Sequence, residues 1–121
     1  MISIRSSAEL ARTLAGSVDP HLEALLTLRR DQLLDEPGLD LRDLAHFIIA
    51  QPGDTLDLIE REAGVPLDES DGSNFEWVVL HDGGWLETVI ILTDDGFGIA
   101  LFVPDRTDTD LSLLALLHEH L

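Results

Sequence analysis

The residues best suited to chemistry in this 121-residue chain are its five histidines and the carboxylates near them. His81-Asp82 precedes Gly83-Gly84-Trp85 at a turn, with Glu76 and Glu87 on the flanking strands. A histidine beside a carboxylate is the minimum for general-base work. No nucleophile, however, sits at a recognisable spacing from it. The bend explains the same residues, because Asp ahead of Gly-Gly supports a turn through its side chain. His118-Glu119-His120 has zinc-ligand types. On a helix, His118 and His120 point roughly 200° apart and cannot chelate together. Histidines at a helix C-terminus are favoured there by the negative end of the dipole. His46 reads as a packed or edge histidine ahead of an apolar strand, and His21, in the first turn of a helix, as a solvated one.

The remaining motifs are weaker. Asp94-Asp95 after Thr93 could bind a divalent cation loosely, but a turn accounts for the pair and the acid spacing of an EF-hand loop is missing. Gly96-Phe97-Gly98 starts like a dinucleotide fingerprint, without the third glycine or a following helix. There is no P-loop, G-x-S-x-G, H-E-x-x-H or C-x-x-C. Trp77, Trp85, Phe97 and Phe102 could stack on bases, but without basic residues nearby they read as core or interface. No catalytic residue, metal ligand or cofactor is assigned.

The elements that position these residues centre on 75–104, read as a three-stranded meander. Asp95-Gly96 between alternating apolar runs is a type I′ hairpin signal, both central positions needing φ > 0. With that loop, Leu92 opposes Ile99 and Ile90 opposes Leu101. Phe97 and Val103 then share their face. The earlier turn, around Gly83 and Gly84, has two or three loop residues. Two would put Phe75, Trp77 and Val79 on that same face, and three would reverse them. The opposite face carries Val78, Leu80, Val89, Ile91, Ala100 and Phe102, so the sheet needs cover on both sides. Gly98 leaves a gap on that second face.

Upstream, Ser6-Ser7-Ala8-Glu9 is a capping box for a first helix ended by Gly16. Asp19-Pro20 starts a second, with Leu22, Leu25, Leu26, Leu33 and Leu34 at helical spacing, broken by Glu36-Pro37-Gly38. Residues 41–51 fit a helix or a strand; the preferred reading is a helical turn near Arg42 and a strand near 45–51. Asp54 caps a helix over Thr55 to Ala63, stopped by Gly64. Thr107 to Asp110 opens a last helix, whose Leu111, Leu113, Leu114, Leu116, Leu117 and Leu121 go nearly all the way round. That suggests burial or a subunit contact.

Composition limits function more than it identifies it. The length fits one domain, 1–121. No apolar run spans a membrane, and Met1 to Gly16 lacks a signal-peptide core. Without cysteine there is no disulfide framework, and a cytoplasmic location is the default. There are 24 acidic residues against seven basic ones, for a net charge of −17. Every basic residue is Arg, and beyond Ala63 only Arg106 is one. Such a field repels nucleic acid and anionic membrane and attracts a basic protein surface or metal cations. Solubility, a salt-rich habitat and GC-rich coding account for the same bias.

Gln51-Pro52-Gly53-Asp54-Thr55, His81-Asp82-Gly83-Gly84-Trp85, Thr93-Asp94-Asp95-Gly96-Phe97-Gly98 and Val103-Pro104-Asp105 together resemble a family of small acidic proteobacterial proteins of unknown function, including plasmid- or mobile-element-borne members. The likeness covers Leu41 to Asp105. It implies no activity and no site residues, and it tilts expectation toward interaction roles.

The expected fold is α+β: an antiparallel sheet of about four strands, one near 45–51 plus the meander, packed with N-terminal, middle and C-terminal helices. The expected function is a non-enzymatic acidic interaction protein that binds a basic protein surface and neither nucleic acid nor membrane. Asp68, Glu69, Asp71, Asp82, Asp94 and Asp95 are its expected contact residues, and Gly83, Gly84 and Gly96 its expected structural turn residues. The alternatives are a small-molecule or metal-dependent enzyme using His81 and neighbouring carboxylates, and a structural homodimer joined through the C-terminal helix.

Overall fold

A sheet apolar on both faces has to be covered twice, and among the described residues four helices do so in pairs. The computed structural model describes residues 1–65, 67, 75–92 and 97–119, the stretches 75–80 and 90–92 by backbone alone. In chain order the elements are β1 (Ile2–Ile4), α1 (Ser7–Ala15), α2 (Pro20–Leu33), a 3-10 turn (Leu41–Asp43), β2 (Ala45–Ile49), α3 (Leu56–Ala63), β3 (Phe75–Asp82), β4 (Trp85–Leu92), β5 (Gly98–Pro104) and α4 (Leu111–Glu119). The strands lie in the order β1-β2-β5-β4-β3. Every neighbouring pair is antiparallel except β2 and β5.

The α+β fold is as expected, and the strand inventory needs two corrections. There are five strands among the described residues, because β1 pairs with β2. At three residues, β1 is too short for alternation to show. The sheet is also mixed, since β2 runs parallel to β5. Chain from α3 through β4 separates those two strands, ample for the crossover that parallel pairing needs.

Local signals start and stop the helices. Ser6 accepts from the Glu9 N–H at 3.2 Å, while the Glu9 carboxylate accepts from Arg5 N–H rather than from Ser6. Asp19 accepts from the N–H groups of His21 and Leu22 at the start of α2, with Pro20 in its first turn. The cap of α3 is Thr55, not Asp54; Asp54 instead accepts from Gln51 N–H and closes the preceding turn. Gly64 ends α3 at φ 76. Asp110 precedes α4, and its Oδ2 accepts from Leu113 N–H at 3.1 Å and from Leu56 N–H at 3.3 Å. One carboxylate thus serves the N-termini of two helices. The preferred reading of 41–51, a helical turn and then a strand, matches the structure.

Register decides which residues share a face. Asp82 opposes Trp85, so the first hairpin has the two-residue loop. Gly83 and Gly84 have φ of 59° and 83°, the positive pair that a type I′ turn demands. In the second hairpin Ile90 opposes Ile99 and Thr88 opposes Leu101, two residues away from the expected register. A shift of two preserves every face. The expected turn residues Asp95 and Gly96 lie outside the described residues.

Both faces are packed. Leu10, Leu22, Leu25 and Leu26 of α1 and α2 meet Phe47, Ala100 and Phe102 on one face. The Phe47 and Phe102 rings meet edge-on, 5.6 Å between centroids. Ile59 of α3 and Leu113 and Leu117 of α4 meet Ile48, Ile99, Leu101 and Val103 on the other. The leucines of α4 therefore divide, two going fully into the core while Leu111 is 79% exposed. Among the described residues no helix is long and apolar enough to cross a membrane.

Candidate functional site

The β3–β4 turn and the exit from β5 meet at one end of the sheet. Gly84 C=O accepts from Asp105 N–H at 2.9 Å, which ties the turn to the residue following β5. Thr109 then folds the chain back, its hydroxyl donating to Pro104 C=O and its N–H to Arg106 C=O. The return carries α4 under the sheet, so that its last turn comes back to Asp105. Two histidines 37 positions apart in sequence converge there. His81 Nε2 lies 3.2 Å from Asp105 Oδ2, and His118 Nε2 lies 3.4 Å from Asp105 Oδ1. Each imidazole faces its own carboxylate oxygen, an arrangement that orients both rings. Both histidines are about half exposed. Among the described residues no group of three or more His, Cys, Asp or Glu is set to hold a metal ion.

His81 is therefore beside a carboxylate, though not the expected ones. Glu87 points through the other face of the sheet, where Arg29 of α2 grips it with Nε at 2.8 Å and Nη2 at 2.6 Å. Glu87 is 2% exposed. Its hydrogen bonds to the guanidinium push the Arg29 pKa up, more than burial pulls it down. The pair is a structural clamp between α2 and β4. The Glu76 side chain lies outside the described residues, as does His120.

Trp85 follows the turn and is 6% exposed. Its indole N–H donates to Asp19 Oδ2 at 2.9 Å, and the Arg106 guanidinium lies 5.5 Å from its ring centroid. The bond from Trp85, then that from Leu22 N–H, holds the Asp19 carboxyl below the usual range. His21, expected to be solvated, is exposed and sits against Gly83: a Cβ built there would come within 2.6 Å of its ring.

A second polar cluster lies at the β1 edge. Ser3 Oγ donates to Glu62 Oε1 at 2.6 Å and accepts from His46 Nε2, also at 2.6 Å. The Ser3 and Arg5 bonds hold the Glu62 carboxyl below the usual range, so it is ionised and can only accept. The single hydroxyl proton therefore goes to Glu62, and His46 donates. Burial, then the Arg5 charge, lowers the His46 pKa, only partly offset by Glu62 and Glu9. An acyl-transfer triad needs the reverse order, with histidine taking the serine proton and the carboxylate on the far imidazole nitrogen. Ser3, His46 and Glu62 instead bind β1, β2 and α3 together. The expectation of a packed histidine at 46 holds. Its partners are unreadable in sequence, because Ser3 is a single polar residue in a three-residue strand.

Of the six expected contact residues, only Asp82 lies among the described residues, and it is exposed. Asp68, Glu69, Asp71, Asp94 and Asp95 lie outside them. Phe75, Leu92 and Gly98, which border those segments, stand at the far end of the sheet from Asp82, seven steps of about 3.3 Å along β3. What Asp82 does share an end with is Asp105, tied to the turn through Gly84 C=O, with Asp108 three residues further along the chain and Glu119 next to His118, which reaches Asp105. No family model matches the chain, and no curated protein or solved structure matches it significantly.

Proposed function

We propose that this chain is a non-enzymatic acidic interaction protein that binds a basic protein surface through the end of the sheet around Asp82. The supporting observation is where the arginines go. Four of the seven arginines, Arg5, Arg29, Arg30 and Arg61, form ion pairs with the chain's own Glu62, Glu87, Asp31 and Asp57, Arg106 lies over Trp85, and Arg12 and Arg42 are exposed without an ion pair among the described residues. Asp82, Asp108 and Glu119 are exposed and have no ion pair among the described residues. Carboxylates left unpaired at one end concentrate the field there, which steers a cationic partner and raises its association rate. The resemblance to small acidic proteobacterial proteins agrees with an interaction role and supplies no partner.

The test compares two triple variants with the parent chain in pull-downs from the source organism at low and high salt. Asp82→Asn, Asp108→Asn, Glu119→Gln removes the proposed contact. Glu23→Gln, Asp35→Asn, Glu36→Gln removes equal charge elsewhere. A basic partner should elute with salt, be lost with the first variant and be kept with the second. Equal loss from both would mean that only net charge matters.

A second reading has one support: His81 lies beside Asp105 as an acid–base pair would. Against it, both groups are open to water and His118 takes the other carboxylate oxygen. A homodimer retains Leu111 and Leu58 as exposed apolar residues, and sedimentation at tens of micromolar would reveal it.

A further inference from the structure

A cavity of about 240 Å³ opens where the parallel strands β2 and β5 both end. Ile49 to Pro52 form one side and Pro104 and Arg106 another, and the α1–α2 loop at Ser17 to Asp19 closes the third. Crevices beyond the carboxyl ends of parallel strands are where mixed α/β sheets hold ligands, because the chain diverges there. The volume is that of roughly eight waters in bulk.

Its lining combines apolar Ile2, Val18 and Leu22 and neutral polar Thr13, Ser17 and Gln51 with two opposite charges. Arg106 is exposed and lies over Trp85, and among the described residues it has no ion pair. Arg12 and Arg42 are likewise without an ion pair among the described residues, but neither lines this cavity. Asp19 takes its three hydrogen bonds, from His21 N–H, Leu22 N–H and the Trp85 indole, all on Oδ2. Oδ1 keeps its accepting capacity. The cavity is thus lined by one uncommitted cation and by a carboxylate with one uncommitted oxygen, beside the apolar Ile2, Val18 and Leu22.

We infer that this cavity binds a free α-amino acid with a compact apolar side chain, its carboxylate on Arg106 and its ammonium on Asp19 Oδ1. Net charge separates this ligand from its neighbours in chemistry. A simple anion would approach against the field of a chain at −17. A simple amine would meet Arg106. A zwitterion carries no net charge and satisfies both groups. Its two charges sit on one carbon, which suits a cavity of this size, whereas a peptide terminus offers only one of them.

The experiment is a titration of the full 15N-labelled chain with L-valine, read at the assigned Trp85 indole N–H. N-acetyl-L-valine, which lacks the ammonium, and L-valinamide, which lacks the carboxylate, are titrated in parallel. A saturable shift is expected with valine, with affinity weakened roughly tenfold or more for both derivatives, since each loses a charge-assisted bond. Arg106→Gln should weaken valine to the same extent. Its side chain is exposed and makes no hydrogen bond among the described residues, so the fold should persist, and the amide spectrum checks that. N-acetylvaline binding as tightly as valine would overturn the proposal in favour of a carboxylate or peptide C-terminus. Valinamide doing so would favour an amine. Absence of a saturable shift at about 10 mM valine would overturn it outright.

Discussion

Replacing Arg29 with Met should be the most damaging single change to a charged side chain in this protein. The Glu87 side chain is 3% exposed, that of Arg29 19%. Two charge-assisted bonds, at 2.6 and 2.8 Å, compensate the buried carboxylate. Breaking such a pair by removing one partner costs about 3–5 kcal/mol, because the other charge is left in an apolar setting. Arg29 is not fully enclosed, so water reaches part of the space it vacates, and a loss near 3 kcal/mol is expected. Arg29 also donates to Gln32, a solvent-side contact of small weight. With a urea slope of about 1.5 kcal/mol per molar, the midpoint should fall by roughly 2 M.

The double variant Arg29→Met, Glu87→Leu separates burial of charge from loss of packing. It removes both charges and should recover most of the loss, since apolar replacement of a buried pair is often neutral or stabilising. Urea unfolding followed by tryptophan fluorescence measures both variants. A loss below about 1 kcal/mol, or a double variant no better than the single, would refute the placement of Glu87 under α2.

Three further changes test other joints. Asp110→Ala should cost about 2 kcal/mol, twice an ordinary cap, because Asp110 accepts from α3 and α4 together; a loss typical of one cap would mean that only one bond matters. Gly83→Ala should destabilise by more than about 1 kcal/mol and clearly more than Gly84→Ala. Both have positive φ, but only at Gly83 would a Cβ strike the His21 ring, and His21→Ala should relieve that variant alone. Finally, the His46 pKa is lowered on folding, so its neutral form is favoured and its contribution is complete above the unfolded value of 6.5. That contribution is lost as pH falls from there toward the lowered folded value. Unfolding free energies at pH 7.5 and 5.5 should fall more for the parent chain than for His46→Gln; equal slopes would contradict the burial.

Most of the fold was legible because its signals are local. Ser6, Asp19 and Gly64 mark helix ends by chemistry acting within four residues. Alternation separated Ile99 and Leu101 from Ala100 and Phe102, and the helices cover both sets as a two-faced apolar sheet requires. What escaped depends on contacts distant in sequence. A three-residue strand such as β1 carries no period of its own and exists because Ile49 to Phe47 offer an edge. The parallel pairing of β2 with β5 follows from the crossover, not from either strand's residues. The same limit applied to the site. His81 was visible as a turn histidine, but Asp105 reaches it only because β5 ends beside the β3–β4 turn, and His118 joins Asp105 only because α4 doubles back, so Glu87 was the wrong neighbour.

The acidity now divides into two populations with different physics. Glu87, Glu62, Asp19 and Asp110 are committed to an arginine, a serine, an indole or helix N–H groups, and neutralising them would cost stability whatever the protein does. Asp82, Asp108, Glu119, Glu23, Asp35 and Glu36 are exposed and outside every such contact among the described residues. A solubility or habitat trait depends on their total, because screening over about 8 Å at physiological salt leaves each charge to act locally and alike. Recognition depends on their positions. The arginines sharpen this contrast. Arg5, Arg29, Arg30 and Arg61 pair with the chain's own carboxylates, whereas Asp82, Asp108 and Glu119 have no ion pair among the described residues, and Arg106 is the one arginine beyond Arg61. Moving the same charge deficit from one end of the molecule to another is therefore the decisive perturbation: position-dependent loss identifies a surface, and position-independent loss leaves only a field.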